Sequence, residues 1–235
     1  MSRYSNRSRP ISYFAEFFII SAGIMVSFLL NEWRQDSAVQ DKKHSLLIEI
    51  NNDLFKDSLM LESSMNMYKT MFRSHDSLLA HVNDKVEEDS LHGYIDHIIS
   101  YVPFKETRIS YQKILNDPEL VIEEGDTLIE GFMVLHNLVY PGVHEWLDVE
   151  KSFVLNQLLP YMDEKAPFIY PTPIGRSFDG KVFYELRKES HFLNMLKSGR
   201  LYKQYLVQVC SQNLFIVSRL KKRISTYLEQ QKESD

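Results

Sequence analysis

Only one cysteine, Cys210, occurs among 235 residues. No intramolecular disulfide can form, and a zinc or iron–sulfur site built on several thiolates is excluded. Glycine and proline are equally sparse, with eight of each. That disfavours all-β folds rich in tight turns and rules out a collagen-like or low-complexity chain. There is no excess of positive charge either. The 27 Lys and Arg stand against 32 Asp and Glu, a formal net charge of -5, which argues against general affinity for nucleic acid. The sequence also lacks G-x-S-x-G, H-E-x-x-H, P-loop and G-x-G-x-x-G patterns, so it assigns no catalytic, cofactor-binding or metal-ligating residue and calls for no cofactor.

What is present begins with a hydrophobic run. A 44% hydrophobic content with 25% charged residues fits a folded chain, and its mean hydropathy of -0.29 hides a local extreme. Residues 11–30, ISYFAEFFIISAGIMVSFLL, hold one ionisable group, Glu16. Twenty residues of helix rise about 30 Å, the thickness of a bilayer's hydrocarbon core. The uninterrupted apolar part, residues 17–30, is also the length of a signal peptide's core. The exit through Asn31, Glu32, Trp33 and Arg34 lacks the small residues that a signal cleavage site needs. Tyr13 and Trp33 bracket the segment as interfacial anchors do, and Glu16 is close enough to the entry end to reach headgroups. These flanks favour an uncleaved transmembrane helix over a cleaved signal or a buried soluble helix.

Arg3, Arg7 and Arg9 crowd the leading side, whereas Arg34, Lys42 and Lys43 are interleaved with acids. The positive-inside rule then predicts a cytoplasmic tail at 1–10, a membrane helix at 11–33, and a periplasmic exterior part at 34–235, anchored in the inner membrane. From Asp36 onward 23 basic residues face 30 acidic ones, so the exterior carries -7. A tail of ten residues is too short for a kinase or a DNA-binding module. Within the membrane segment Glu16, Ile20, Gly23, Ser27 and Asn31 line one stripe, and Gly23 with Ser27 makes a small-xxx-small step. The stripe reads either as a helix contact surface, for a homo-oligomer or an envelope partner, or as a plain anchor whose Glu16 snorkels.

No Gly or Pro occurs between Gly23 and Gly93, so the membrane helix is expected to continue outward. Leu47, Ile50, Leu54, Leu61, Met65, Tyr68 and Phe72, then Leu79 and Val82, recur at helical spacing. Further helices are expected over 90–101, 106–115 and 143–161, with short helices over 120–140 broken near Gly125. An irregular Pro- and Gly-containing stretch follows at 166–180. Helices over 181–196 and 200–230 close the chain, the last with Leu201, Tyr205, Val209, Ile216, Leu220, Ile224 and Tyr227 inward. The fold class is all-α: a membrane helix continuing into a long helix, followed by an antiparallel helical bundle.

Among eight histidines, His92 and Asp96 share a helix face beside His97, while His136, His144 and Glu145 flank a turn at Tyr140, Pro141 and Gly142. Neither group supplies the three or four converging ligands of a zinc site. Glu123, Glu124 and Asp126 read as a solvated loop. Lys221, Lys222 and Arg223 read as a solvated helix face, with contact to an acidic partner or headgroups as the alternative. Met60, Met65, Met67 and Met71 read as core packing around Tyr68.

The run FAEFFIISAGIMVSFLLNEWRQDSAVQDKKHSLLIEINNDLFKD resembles the start of a family of single-pass membrane proteins of unknown function found mainly in Bacteroidota. Glu16, Gly23, Ile24, Asn31, Trp33, Asp53 and Leu54 match its pattern, while Ala15 stands for a usual Gly and Glu32 for a second Asn. TRISYQKILNDPELVI and FLNMLKSGRLYKQYL are weaker echoes. The resemblance implies a membrane-anchored helical exterior domain and brings no catalytic residue. The expected function is non-enzymatic: protein–protein interaction or scaffolding in the cell envelope, through the membrane stripe and the 166–180 loop. The alternatives are a ligand-sensing module signalling through a partner, and an envelope enzyme, which would require His92, Asp96, His136, His144 and Glu145 to converge.

Overall fold

The computed structural model describes residues 9–80, 88–117, 126–166, 168–172, 175–178 and 180–234. Most of residues 1–10 and the expectation at Val82 therefore lie outside the described residues. The architecture is all-α, dominated by two long helices that run antiparallel.

Helix α1 spans Arg9–Ala80, 72 residues without a break. Nothing in its sequence after Gly23 can interrupt the backbone ladder, and at 1.5 Å per residue it is about 108 Å long. Its two ends meet different surroundings. Over residues 17–30 the apolar side chains pack on nothing; Phe17 is 68% exposed and Phe28 71%. One described helix, this one, is long and apolar enough to cross a membrane, near the N-terminus. From Leu46 onward the expected face is buried: Leu47, Ile50, Leu54, Leu61 and Tyr68 are fully covered. Met71 is buried too, whereas Met60 and Met67 are exposed, so the methionines are only partly core.

Short helices α2 (Glu88–Ile99) and α3 (Ile109–Asn116) precede a longer helical run. That run comprises α4 (Thr127–Val134), a π turn at Leu135–Val139, α5 (Tyr140–Phe153), a second π turn at Val154–Leu158, and α6 (Leu159–Lys165). The expected turn at Tyr140, Pro141 and Gly142 does not exist; the helix passes through it. A proline inside a helix lacks an N–H and presses on the carbonyl four residues back. Pro141 and Pro160 each follow a π turn, where Tyr140 N donates to Leu135 O and Leu159 N donates to Val154 O. The widened turn gives each ring room and lets the helix continue.

The region expected to be irregular contains an antiparallel hairpin of β1 (Phe168–Thr172) and β2 (Gly175–Phe178). Helix α7 (Gly180–Leu186) then leads into α8 (Ser190–Ser234). The expected break at Ser198 and Gly199 is absent, and the chain bends instead just after Leu186. Contacts fix the direction of α8: Asp76 pairs with Arg200, Phe55 lies under Lys221 at 4.4 Å, and Ser225 Oγ donates to Asn51 Oδ1 at 3.2 Å. Rising numbers on α1 meet falling numbers on α8, so the C-terminal end returns beside the exposed stretch of α1. Val209, Leu220 and Ile224 face inward as expected. Leu201, Tyr205 and Ile216 do not; Leu206, Cys210 and Val217 take the core positions instead.

Two apolar clusters fill the bundle. One joins Leu46, Ile50, Tyr68, Phe132, Tyr140 and the far half of α8. The other joins Leu78, α2, Phe153, Leu158, Phe183 and Leu196. Between them His75 is wholly buried, its Nδ1–H donating to Met71 O at 2.9 Å. A Cβ on Gly199 would sit 2.6 Å from His75 Nε2 and 3.2 Å from Phe153. Gly199→Ala is thus expected to cost about 1–3 kcal/mol of stability. In urea unfolding of the detergent-solubilised protein, His75→Ala combined with Gly199→Ala should cost less than the sum of the single changes.

Candidate functional site

The outward face of α1 carries the first candidate. Glu16, Ile20, Gly23, Ser27 and Asn31 all lie in the described helix and are exposed. Ser27 Oγ donates to Gly23 O at 2.8 Å, so the stripe's hydroxyl is satisfied within its own helix. Four of these, Ile20, Gly23, Ser27 and Asn31, border a shallow groove of about 530 Å³. Trp33 is 71% exposed; the Tyr13 side chain lies outside the described part.

Leu59 follows Gly23 by 36 positions, which is ten helical turns. Ile48 and Asn52 follow it by close to seven and eight turns. The face that presents Gly23 toward the lipid-like stretch therefore presents Ile48, Asn52 and Leu59 further out, with Phe55 beside them. Ile48, Phe55 and Leu59 are 42%, 49% and 51% exposed. The core row of Ile50, Leu54, Leu61 and Tyr68 lies half a turn away on the opposite side. One straight face thus combines small residues in the apolar stretch with large, half-exposed apolar residues beyond it.

The five residues required for an enzyme do not converge. His92 and Asp96 belong to α2, which packs in the second cluster. His136 and His144 sit beside the first, and Glu145 is exposed. His144 Nε2 pairs with Glu106 Oε2 at 2.6 Å. His136 is boxed by Tyr111, stacked at 4.6 Å, with Phe132 and Tyr140 edge-on at 4.6 Å and 5.0 Å. Among the described residues no group of three His, Cys, Asp or Glu side chains could hold a metal ion.

The sequence reasoning missed the buried polar groups. Helix α3 starts at a residue that provides no side-chain cap, and α1 supplies the acceptors. Asp57 Oδ1 accepts from Thr107 N at 2.7 Å, and Asp53 Oδ2 from Ser110 N at 2.9 Å. Tyr140 donates its hydroxyl to Asp57 Oδ2 at 2.6 Å. Burial pushes the Asp57 carboxyl up, opposed by these hydrogen bonds. Burial acts on Glu106 the same way, but hydrogen bonds with His144 and Arg108 outweigh it and hold the carboxyl low.

Deeper in the bundle, Lys203 Nζ donates to Glu150 Oε1 and, at 2.6 Å, to Ser100 O. Both Lys203 and Glu150 are 1% exposed. The Tyr68 hydroxyl lies 3.0 Å from Val102 O and 3.4 Å from Glu150 Oε2, and accepts from Val102 N at 3.2 Å. Desolvation pulls the Lys203 ammonium down and the Glu150 carboxyl up, and their mutual contact opposes both shifts. This knot ties α1, α5, α8 and the segment after α2. The signal available in sequence was the placement of Asp53, Asp57 and Lys203 within otherwise apolar helical rows.

A second surface lies at the lower end of α8. Lys221 sits over Phe55, but Arg219, Lys222 and Arg223 line a hollow of about 620 Å³ on the side facing α4. Arg223 Nη2 donates to Thr127 Oγ1 at 2.9 Å.

No family model, curated protein or solved structure matches the chain. Function therefore rests on this geometry.

Removing one partner of a buried ion pair strands the other charge, at a cost of about 3–5 kcal/mol. Lys203→Met and Glu150→Leu are each expected to lose that much in urea unfolding, and the double change markedly less than their sum. Titration provides a separate check. Burial holds both His75 and His136 neutral, with pKa lowered from 6.5 to about 4. The unfolded chain binds protons between those values that the fold refuses. Stability is therefore complete above pH 6.5 and falls toward pH 4, by about 3 kcal/mol for each histidine. Asp57 and Glu150 act in the opposite sense, so the readout is a difference. The loss of unfolding free energy between pH 7 and pH 4.5 should be smaller in His136→Phe than in the parent.

Proposed function

We propose that the protein is a non-enzymatic, membrane-anchored interaction protein of the cell envelope, whose contact surface is the outward face of α1. The observation that supports this reading is the continuity of that face over ten turns, from Gly23 to Ile48, Phe55 and Leu59. Left in water, the eleven large apolar side chains exposed between Phe17 and Trp33 would cost about 20 kcal/mol, more than the whole stability of an ordinary domain. A bilayer removes that cost. The arginines at 3, 7 and 9 favour a cytoplasmic N-terminus in the inner membrane, with the bundle in the periplasm. The resemblance of residues 14–57 to single-pass proteins of unknown function agrees with an uncleaved anchor.

A second copy is the simplest occupant of the face. Copies inserted in the same direction pair with their two-fold axis along the membrane normal, which brings like positions on parallel α1 helices together. Gly23 then meets Gly23 at close backbone approach, and Phe55 and Leu59 cover each other. A second reading, a ligand-sensing module acting through a partner, is favoured by the basic hollow on α8.

The test is oxidative crosslinking in native membranes. Cys210 is buried, so Asn52→Cys should report alone and give a disulfide-linked dimer. Glu164→Cys, away from the face, should not. Gly23→Leu and the pair Phe55→Asp, Leu59→Asp should each abolish the Asn52 crosslink. A crosslink only to a different protein would keep the face and replace the second copy. Failure to form any crosslink, or indifference to Gly23→Leu, would remove the reading. A reporter fused at either end reads the topology, with the C-terminal fusion expected to be periplasmic.

A further inference from the structure

The basic hollow on α8 is independent of the α1 contact face and carries chemistry that the interaction reading does not use. Arg219 and Arg223 are one helical turn apart, with Lys222 and Thr226 on the same flank. All four line the hollow, Thr127 from the start of α4 stands opposite, and no carboxylate is among the lining residues. Asp126, next to Thr127 at the start of α4, is already spent. Its carboxylate caps α4 by accepting from Leu128 N and Ile129 N, and it pairs with Lys43 at 2.7 Å. Neither Arg219 nor Lys222 has an ion-pair partner among the described residues. In an exterior part that carries -7, three adjacent cations with no ion-pair partner among the described residues form a local reversal of sign. They repel one another unless an anion sits between them.

The remaining lining residues describe that anion further. Two threonine hydroxyls can donate to phosphate oxygens, and Thr127 already orients the Arg223 guanidinium. Arginine forks match the tetrahedral oxygens of phosphate with paired hydrogen bonds, which a lone ammonium cannot do. Leu128 and the Tyr227 ring add an apolar wall. The hollow therefore fits a phosphate joined to an apolar or ring-shaped body.

Distance decides between a lipid headgroup and a soluble ligand. Ser225 is level with Asn51 through their hydrogen bond, and Asn51 lies 21 positions beyond Leu30. Lys43, which pairs with Asp126 at the start of α4 and sits over the Tyr227 ring, lies 13 positions beyond Leu30. The hollow therefore spans about 20–30 Å above the hydrocarbon edge when α1 stands upright. Headgroups occupy only about 5–8 Å of that height, and charge is screened over about 8 Å at physiological salt. We infer that the hollow formed by Arg219, Lys222, Arg223, Thr127 and Tyr227 is a binding site for a soluble organic phosphate.

The experiment uses the full chain in nanodiscs, with phenyl phosphate as probe and benzoate and phenol as comparisons, followed by calorimetric titration. Phenyl phosphate should bind at millimolar concentration or below, more tightly than either comparison, and weaken as salt rises. Arg219→Gln with Arg223→Gln should reduce affinity by about tenfold or more while the helical circular dichroism is unchanged. Lys222→Gln gives a milder second variant should the pair fail to fold. Exchanging phosphatidylcholine for phosphatidylglycerol in the disc should leave the titration unchanged. Absence of binding, or equal binding by the double variant, overturns the inference. So does competition by phosphatidylglycerol, which would make the occupant a headgroup. Binding seen only after Glu119, Glu123 and Glu124 are all changed to Gln would also overturn it, because the chain's own acids would then neutralise the site. These outcomes do not depend on the Asn52 crosslink, so either proposal can fail alone.

Discussion

The backbone ladder of α1 is the constraint on which the rest depends. Hydrogen bonds run without interruption from the apolar stretch to the top of the bundle, so every side chain on it has an azimuth set by its number. Each full turn returns to the same side. The core row of Ile50, Leu54, Leu61 and Tyr68 therefore determines which residues of the apolar stretch face the same way as Ile48 and Leu59. Without a glycine or proline after Gly23 there is no joint to relax this relation. The apolar stretch and the bundle therefore share one continuous helix, with α8 closing back along it.

The second constraint is polar. The apolar clusters alone do not specify how the short connections pack, because Leu and Ile surfaces accept many neighbours. Asp53 and Asp57 do specify it, since the orphan N–H groups at the start of α3 have no local acceptor. Lys203 and Glu150 act likewise between α5 and α8, and Tyr68 extends that knot to the residues after α2. A buried ion pair adds little net stability, since each charge has lost its water. Its effect is geometric: any other register would leave a bare charge in the core.

Much of α1 could be read from its sequence, because a 3.6-residue period and the absence of breakers are local properties. That Glu16, Ile20, Gly23, Ser27 and Asn31 share one exposed face was legible for the same reason. The π turns were not, since Tyr140, Pro141 and Gly142 together read as a turn, and only the widened backbone ahead of Pro141 shows how the helix survives. On α8 two neighbouring apolar rows compete. Leu201, Tyr205 and Ile216 form one, and Leu206, Cys210 and Val217 the other; periodicity fits both, and packing against α1 selects the second. Lys203 was hidden because its partner is 53 positions away. The basic hollow was visible only as a run of charge until Thr127 and Leu128 were brought against it.

The length of α1 also has a mechanical side. Fifty positions separate Leu30 from Ala80, a rod of about 75 Å beyond the apolar stretch. Membrane helices tilt by about 20° on average, and a tilt of that size sweeps the outer end sideways by about 25 Å. In the proposed anchored arrangement, a small change in the tilt of the apolar stretch would become lateral reach at the far end of the bundle. A jointed anchor would have absorbed the same motion at its hinge.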